Sequence, residues 1–242
     1  TTGDGSNDDF KRAMVVTAHP DDAEYGCSGS VAKWCRMGWE VVYVLCTDGS
    51  KGSEDREITS KRLVEIRAEE QINAGKTLGL KTVEFLGYPD GYLEPTLDVR
   101  RDISRQIRKH KPDVLITTNP TRDLMSSGYI GHPDHFAAGE AALSAVFPSA
   151  RDHLTFPELF SDEGLEPHKV REVWVMTFGD GADFWNPLTE QDVDTSIAAL
   201  KEHTSQVDDP DQAAKWMKQR RAELGKKIEA NYAESFKKFT LS

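Results

Sequence analysis

The sequence predicts an α/β fold: a Rossmann-like, mostly parallel sheet with helices on both faces, in three layers. Two observations lead to this prediction. Apolar, β-rich runs alternate along the chain with segments of helical period, and those runs are apolar throughout, which is typical of strands buried on both faces. With 242 residues, 38% of them hydrophobic, the chain is long enough to bury one core of this kind.

Each element follows from a local pattern. The apolar runs predict five strands, at 13–18 (AMVVTA), 40–47 (EVVYVLCT), 82–87 (TVEFLG), 113–118 (DVLITT) and 171–176 (REVWVM). The helical periods predict helices at about 28–37, 60–78, 97–110, 133–146, 190–204 and 210–239. Gly38 and Gly79 suit C-terminal caps, and Pro133 suits a first helical turn.

The predicted organisation is a flexible leader at 1–12, then a single α/β domain over 13–242 that ends in a helical extension at about 207–242. The extension carries an apolar stripe that is expected to pack on its own domain, with a subunit interface in a homo-oligomer or an anionic membrane surface as the alternatives. The stripe consists of Met217, Leu224, Ile228, Tyr232, Phe236 and Phe239. The Pro- and Ser-rich excursion at 147–170 and the loop around Trp185 are expected to shape the mouth of a site.

Composition excludes several classes of function. The net charge is −11, from 30 Lys plus Arg and 41 Asp plus Glu, and such a surface repels phosphate backbones, so nucleic acid is not an expected partner. No apolar stretch approaches the roughly 20 residues of a membrane span. Cys27, Cys35 and Cys46 lack CxxC spacing and are predicted to be free thiols, which favours a cytoplasmic location.

Two short motifs place metal ligands after predicted strands. His19 and Asp22 are three residues apart, as are His132 and His135, so each pair can point one way if the chain turns helically. Singly, each motif is weak, because an N-cap or a surface histidine pair explains it. Together they supply two histidines and a carboxylate, a common catalytic zinc set. Asp21 and the second histidine then remain for a base and an oxyanion partner.

The chain resembles the zinc-dependent N-deacetylases of the PIG-L/LmbE family, which remove acetyl groups from N-acetylglucosaminyl compounds. The resemblance is carried by AHPDDAE (18–24) and HPDH (132–135), and extends to EIRAEEQINAGKTLGL (65–80), FLGYPDGYL (85–93) and IAALKEHTSQ (197–206). It implies a small N-acetylated amino sugar, or its conjugate, as substrate. It also implies a zinc ion, or another divalent metal such as iron(II), held by His19, Asp22 and His135.

The same resemblance implies roles for five more residues. Asp21 would be the general base, and His132, oriented by Asp134, would stabilise the tetrahedral intermediate as a cation. Arg67 and Asp90 would contact the sugar. Whether Asp21 alone or Asp21 with His132 handles the acid step stays open. One departure concerns a tyrosine that relatives often have two residues before the first histidine of the second motif; here Tyr129 lies three before it.

Plainer interpretations stand beside these roles. Asp21 is explained by a helix N-terminus, Asp90 by a Pro-Asp-Gly turn, Arg67 by a surface ion pair with Glu65 or Glu70, and His203 by packing at its helix end. A dinucleotide-binding oxidoreductase is disfavoured because HPDD stands where GxGxxG is required. A zinc amidase acting on a thiol-sugar conjugate is the main alternative function, and a non-catalytic binding module the next.

Overall fold

The centre of the molecule is a mixed sheet. Its strands are β1 (Arg12–Thr17), β2 (Glu40–Thr47), β3 (Thr82–Tyr88), β4 (Val114–Thr117), β5 (Glu172–Met176), β6 (Phe184–Leu188) and β7 (Tyr232–Thr240). They lie in the order β3-β2-β1-β4-β5-β7-β6. The computed structural model describes residues 10–124, 128–177 and 181–242. Strands β1 to β5 run parallel, and β7 lies antiparallel between β5 and β6.

Helices cover both faces of the sheet, which confirms the predicted three-layer α/β fold. One apolar cluster joins α4 (Leu97–His110) and α5 (Pro133–Ser144) to one face, through residues such as Ile103 and Ala138. Another joins α2 (Ser28–Arg36), α3 (Ser60–Leu78) and α7 (Glu190–Leu200) to the other face, through Trp34, Ala74 and Ala199. The helices are α1 (Asp22–Gly26), α2 (Ser28–Arg36), α3 (Ser60–Leu78), α4 (Leu97–His110), α5 (Pro133–Ser144), α6 (Glu158–Ser161), α7 (Glu190–Leu200) and α8 (Pro210–Lys226).

The strand order reverses beside β1. The chain passes from β1 outward to β2 and β3, then returns to pair β4 with the other edge of β1. At such a switch point the connections leave in opposite directions and open a crevice at the carboxyl ends of the strands. The loop after β1, the loop after β3 and the start of α5 therefore meet at one edge of the sheet.

The predicted helix over 210–239 is wrong beyond Lys226, because Tyr232–Thr240 form strand β7, which is antiparallel to β5 and β6. Gly225 closes α8 where the chain folds back: a Cβ there would lie 2.6 Å from the carbonyl oxygen of Ala230. Glu229, at φ 58°, completes the turn. The proposed stripe therefore divides, with Met217 buried beneath α8 and Phe236 buried in the sheet. The segment predicted as a helical extension thus consists of α8 followed by a strand of the sheet.

Two further expectations are corrected at the amino edge of the sheet. Residues 1–9 of the proposed leader lie outside the described residues, but Phe10 is buried and β1 begins at Arg12, so the ordered domain starts before residue 13. The excursion at 147–170 is fastened near the start of β4: His168 Nε2 lies 2.8 Å from the carbonyl oxygen of Pro112, and Arg108 donates to the carbonyl of Thr155. This part of the excursion lies away from the carboxyl edge.

No helix in the described ranges has the length and apolarity to cross a membrane.

Candidate active site

Three donor side chains from distant parts of the sequence converge at the switch point. His19 follows β1, Asp22 opens α1, and His135 lies in the first turn of α5. His19 Nδ1 is 3.3 Å from His135 Nε2 and 3.6 Å from Asp22 Oδ2, and His135 Nε2 is 2.9 Å from Asp22 Oδ1. We refer to His19, Asp22 and His135 as the donor triad. The structure thus brings together the three residues expected to bind a metal.

The donor triad has the chemistry and spacing to hold a divalent ion. Two imidazole nitrogens and a carboxylate form a common zinc donor set, and ligands 2.0–2.2 Å from a tetrahedral ion lie roughly 3.3–3.6 Å apart. Two of the three separations fall in that range, and the third is somewhat shorter. A hydrogen bond also fixes the backbone of His135, because Thr118 Oγ1 donates to the His135 carbonyl oxygen at 2.6 Å. We conclude that the residues present fit such an ion.

His19 is also held from its other ring nitrogen. Its Nε2 lies 3.0 Å from Asp90 Oδ1, and the second carboxylate oxygen of Asp90 accepts from the backbone N–H of Lys51 at 2.9 Å. Burial raises the pKa of Asp90, but the hydrogen bonds from His19 and Lys51 outweigh it and bring the pKa to about 2. Asp90 is therefore an ionised acceptor for His19, in addition to forming the turn predicted after β3.

Asp134 orients His19 more closely than it orients His132. Its carboxylate lies 3.3 Å from His19 Nε2 and accepts from the backbone N–H groups of Gly91, at 2.7 Å, and Leu93, at 3.2 Å. Its separation from His132 Nδ1 is 3.9 Å. Although His19, Asp90, His132 and Asp134 form a second group of closely spaced donors, its carboxylates are occupied by backbone donors and His19. We interpret this group as the support that orients His19.

The carboxylates around His19 and His135 favour the protonated form of each ring, so a metal ion must compete with protons for these nitrogens. Burial lowers the pKa of His19, but the carboxylates of Asp134, Asp22 and Asp90 outweigh burial and raise it to about 12. Burial likewise opposes protonation of His135, and the Asp22 charge raises its pKa above the ordinary value. Because a ligating nitrogen must be unprotonated, metal binding here displaces protons.

Asp21 lies beside the donor triad in a strained backbone conformation. Its φ is 87°, in the left-handed region that an aspartate adopts only occasionally. Burial and the neighbouring Asp22 charge raise its pKa to about 7, although Arg67 and His203 act in the opposite direction. A carboxylate that gains and loses a proton near neutral pH is suited to general acid–base chemistry.

His132 caps α5 and stands next to His19, with the two ring centroids 4.6 Å apart. Its Nδ1 accepts from the backbone N–H of Asp134 at 3.2 Å, so the proton of the neutral ring is on Nε2. Burial and the charge of His19 lower its pKa below the ordinary value. These contacts favour a neutral hydrogen-bond donor over the expected resting cation. Its backbone N–H donates to the exposed Tyr129 hydroxyl at 3.1 Å.

Arg67 is an internal clamp, and the surface ion pair considered for it is absent from the described structure. Its guanidinium donates to the carbonyls of Gly49 at 3.1 Å and Pro20 at 2.8 Å, and its Nη2 lies 3.7 Å from Asp21 Oδ2. Arg67 and Asp90 are each only 4% exposed. Both residues thus support the walls of the crevice.

Sequence reasoning missed the buried polar residues behind Asp21, chiefly Gln71 and Glu24. A signal was available for Gln71, because it belongs to the buried stripe of α3, whose members recur every three or four residues: Leu63, Arg67, Gln71, Ala74 and Leu78. Polar residues on the apolar stripe of a helix are buried and need partners. Glu24 follows the first motif directly and lies in α1.

The fold and the site define an α/β protein with a histidine–carboxylate group that can hold a metal ion at the sheet switch point. The chain belongs to the PIG-L family: the sequence profile of that family, described as GlcNAc-PI de-N-acetylase, matches residues 14–146.

Two relatives share sequence with about two thirds of this chain. Diacetylchitobiose deacetylase of Thermococcus kodakarensis is 34% identical over 165 residues, covering 68% of this chain and 59% of the relative. Mycothiol S-conjugate amidase of Streptomyces coelicolor is 29% identical over 184 residues, covering 67% of this chain and 60% of the relative. The chain thus spans about three fifths of the length of these two proteins.

A solved structure extends the similarity to nearly the whole chain. The N,N'-diacetylchitobiose deacetylase from Pyrococcus horikoshii, complexed with its inhibitor MPG, superposes with a TM-score of 0.84 at 27% sequence identity. The match covers 96% of this chain and 85% of that one.

Proposed function

We propose that the protein is a zinc-dependent N-deacetylase that hydrolyses the acetamide of a small N-acetylglucosaminyl molecule. The observation that carries the proposal is the convergence of the donor triad beside a buried aspartate whose pKa is raised to about 7. Deacetylation needs a Lewis acid and a base in one place, and this edge of the sheet supplies residues for both.

His19, Asp22 and His135 are the proposed ligands. A divalent ion held there supplies Lewis-acid chemistry for the amide carbonyl and makes water more acidic. The carboxylates of Asp90 and Asp134, which contact His19 Nε2, keep its Nδ1 directed towards the other two members of the donor triad. Such support from behind a ligand fixes its orientation and raises its basicity.

Asp21 is the proposed base. It takes a proton from the attacking water, the water oxygen bonds to the carbonyl carbon, and the C–N bond breaks as the nitrogen gains a proton. Because Asp21 holds its proton with a pKa of about 7, it can collect that proton and return it to the departing amine near neutral pH. Acetate and a free amino sugar are the products.

His132 is proposed to stabilise the tetrahedral intermediate by a hydrogen bond from Nε2. Its Nδ1 is occupied by the Asp134 backbone, so Nε2–H is the donor of the neutral ring. Its side chain is 38% exposed, which leaves it accessible from the mouth of the crevice. A proton from this ring to the amine is the alternative acid step.

The acetyl-sugar specificity is supported by the deacetylases named among the relatives. Arg67 and Asp90 are the proposed sugar contacts, and their burial means that a sugar must exchange with one of their present hydrogen bonds. An amidase acting on a thiol-sugar conjugate is the second candidate, supported by the similar mycothiol S-conjugate amidase. We place the protein in the cytoplasm, a proposal supported by three free cysteines, two of them buried.

Acetate release tests the proposal directly. We expect the zinc-loaded protein to release acetate from N-acetylglucosamine or N,N'-diacetylchitobiose, and Asp21→Asn to keep its zinc while losing on the order of 10²–10⁴ of the rate. Asp162→Asn, a change at an exposed acid, is the matched control. Zinc binding without acetate release from either sugar would reject the acetyl-sugar substrate. A bulkier thiol-sugar amide in the same assay tests the amidase.

A further inference from the structure

A buried chain of polar side chains runs from Asp21 to the segment after α7. Gln71 Oε1 accepts from the backbone N–H of Asp21 at 3.1 Å, and Gln71 Nε2 donates to Glu24 Oε1 at 3.1 Å. The other oxygen of Glu24 lies 3.4 Å from His203 Nε2. Gln71, Glu24 and His203 are each 0% exposed. The roles proposed for the donor triad and Asp21 use none of these three side chains.

The neighbours of Gln71 allow its carboxamide only one orientation. The Asp21 N–H can only donate, so it must face the amide oxygen, and the Glu24 carboxylate accepts, so it must face the amide nitrogen. A rotation of the amide by 180° would set two donors and two acceptors against each other. The Gln71 carboxamide therefore links the Glu24 carboxylate to the backbone N–H of Asp21.

His203, at the far end of this series of polar side chains, lies in a segment that is held by contacts with two buried glutamates. Burial lowers the pKa of His203, but the Glu24 carboxylate outweighs burial and raises it above the ordinary value. His203 Nε2 and Glu24 Oε2 lie 3.4 Å apart, in an alignment that falls short of a hydrogen bond. The segment is also fastened to α3, because Glu70 accepts from Ser205 N and Thr204 Oγ1 at 2.7 and 2.9 Å. Glu24 thus faces an imidazole whose position is fixed by the contacts of its own segment.

Asp21 needs such support more than its neighbour does. Its left-handed φ of 87° persists only if surrounding contacts enforce it. Asp22 has separate restraints, since its carboxylate accepts from His19 N at 2.8 Å and lies 2.9 Å from His135 Nε2. Loss of the Gln71 contact should therefore release Asp21 while the donor triad stays in place.

We infer that Gln71, held in one orientation by Glu24 and His203, is a positioning residue that keeps Asp21 in the backbone conformation in which it serves as the base. The inference rests on the proposed deacetylase function for its kinetic test. A displacement of about 1 Å at a reacting group can cost on the order of 10²-fold in rate. Substrate binding and zinc affinity depend on other residues and should change little.

A swap of the two polar groups tests the chain. We expect Gln71→Met and Gln71→Glu each to lower kcat for acetate release from N,N'-diacetylchitobiose at least tenfold, with KM and zinc affinity within about threefold. The double variant Gln71→Glu with Glu24→Gln restores an acceptor for the Asp21 N–H and a donor between the two side chains. It should recover most of the lost kcat. A double variant no more active than the single variants, or a Gln71→Met variant with wild-type kcat, would overturn the inference.

Amide hydrogen exchange supplies a readout that does not need activity. In Gln71→Met, exchange should rise in the 17–27 segment and remain unchanged in strands β4 and β5. The matched control is Asn186→Asp, because Asn186 is a buried carboxamide that bridges Lys33 and Ser30 on α2. A uniform rise across the sheet in Gln71→Met, matching that of the control, would show a merely structural role. Failure of the proposed function looks different, since the wild type would release no acetate while local exchange still decides whether Gln71 holds Asp21.

Discussion

The Nδ1 atom of His19 lies 3.3 Å from the Nε2 atom of His135, across 116 positions of sequence. Two imidazole nitrogens that face each other at this distance either share one proton or bind one ion. Asp22, 2.9 Å from His135, adds a negative charge at the same point. Because the other nitrogen of His19 is committed to Asp90 and Asp134, only this side of the ring is available for a metal.

His135→Asn should therefore weaken zinc binding. The change removes one of three donors, and because loss of a supporting contact alone costs 10–100-fold in affinity, we expect a fall on the order of 10²-fold or more. Competition with a chelator measures it. His168→Asn is the control, since His168 contacts the Pro112 carbonyl at the opposite edge of the sheet. Unchanged zinc affinity in His135→Asn would remove His135 from the ligand set.

Asp134→Asn separates two roles for Asp134. If its carboxylate chiefly orients His19, as the 3.3 Å contact indicates, the variant should lose about 10–100-fold in zinc affinity. If it chiefly orients His132, kcat should fall at full zinc occupancy with no loss of affinity. Titration with zinc, followed by kinetics at saturating metal, distinguishes these outcomes. We expect the first, because the carboxylate is 3.9 Å from His132.

Asp21 should make the metal-free fold less stable as pH rises. Burial and the Asp22 charge raise its folded pKa from 3.8 to about 7, so the folded state holds this proton more tightly than the unfolded chain. Its contribution is greatest below pH 4 and is lost as pH rises through 7. In the presence of a chelator, the Tm of Asp21→Asn relative to that of the wild type should therefore rise as the pH increases from 5 to 8. The Tm of Asp162→Asn relative to the wild type should not change over this range. Parallel pH profiles for wild type and Asp21→Asn would contradict the raised pKa.

The donor triad was predictable because its evidence is local. His19 and Asp22 share one turn, His135 begins a helix, and buried parallel strands place both motifs at one edge. The partner of Asp134 was not predictable in this way. The family resemblance implied that Asp134 orients His132, but its carboxylate accepts from the backbone N–H of Gly91 in the loop after β3, whose position depends on the whole sheet. A contact that spans several elements leaves no mark on local spacing.

The carboxyl-terminal part of the fold shows the same limit. Tyr232, Phe236 and Phe239 are spaced three and four apart, which fits a helix as well as a strand with an irregular burial pattern. Tertiary contacts decide the outcome: Glu234 is buried and receives hydrogen bonds from the backbone N–H groups of Gly29 and Ser30 at the start of α2. A helix continuing from α8 would leave that carboxylate without these donors.

The ion pair that holds β7 in place gives the last prediction. Arg221 of α8 donates to Glu234 Oε1 from Nη2, at 2.6 Å, and from Nε, at 2.9 Å, and both side chains are only 4% exposed. Arg221→Met strands the buried carboxylate, so we expect a loss of about 3–5 kcal/mol in the free energy of unfolding, measured with urea. Adding Glu234→Gln should recover part of it, because the charge is then gone. Lys218→Met, which breaks an exposed pair with Glu190, should cost no more than about 1 kcal/mol. A similarly small loss in Arg221→Met would mean that packing alone, without this ion pair, holds β7 between β5 and β6.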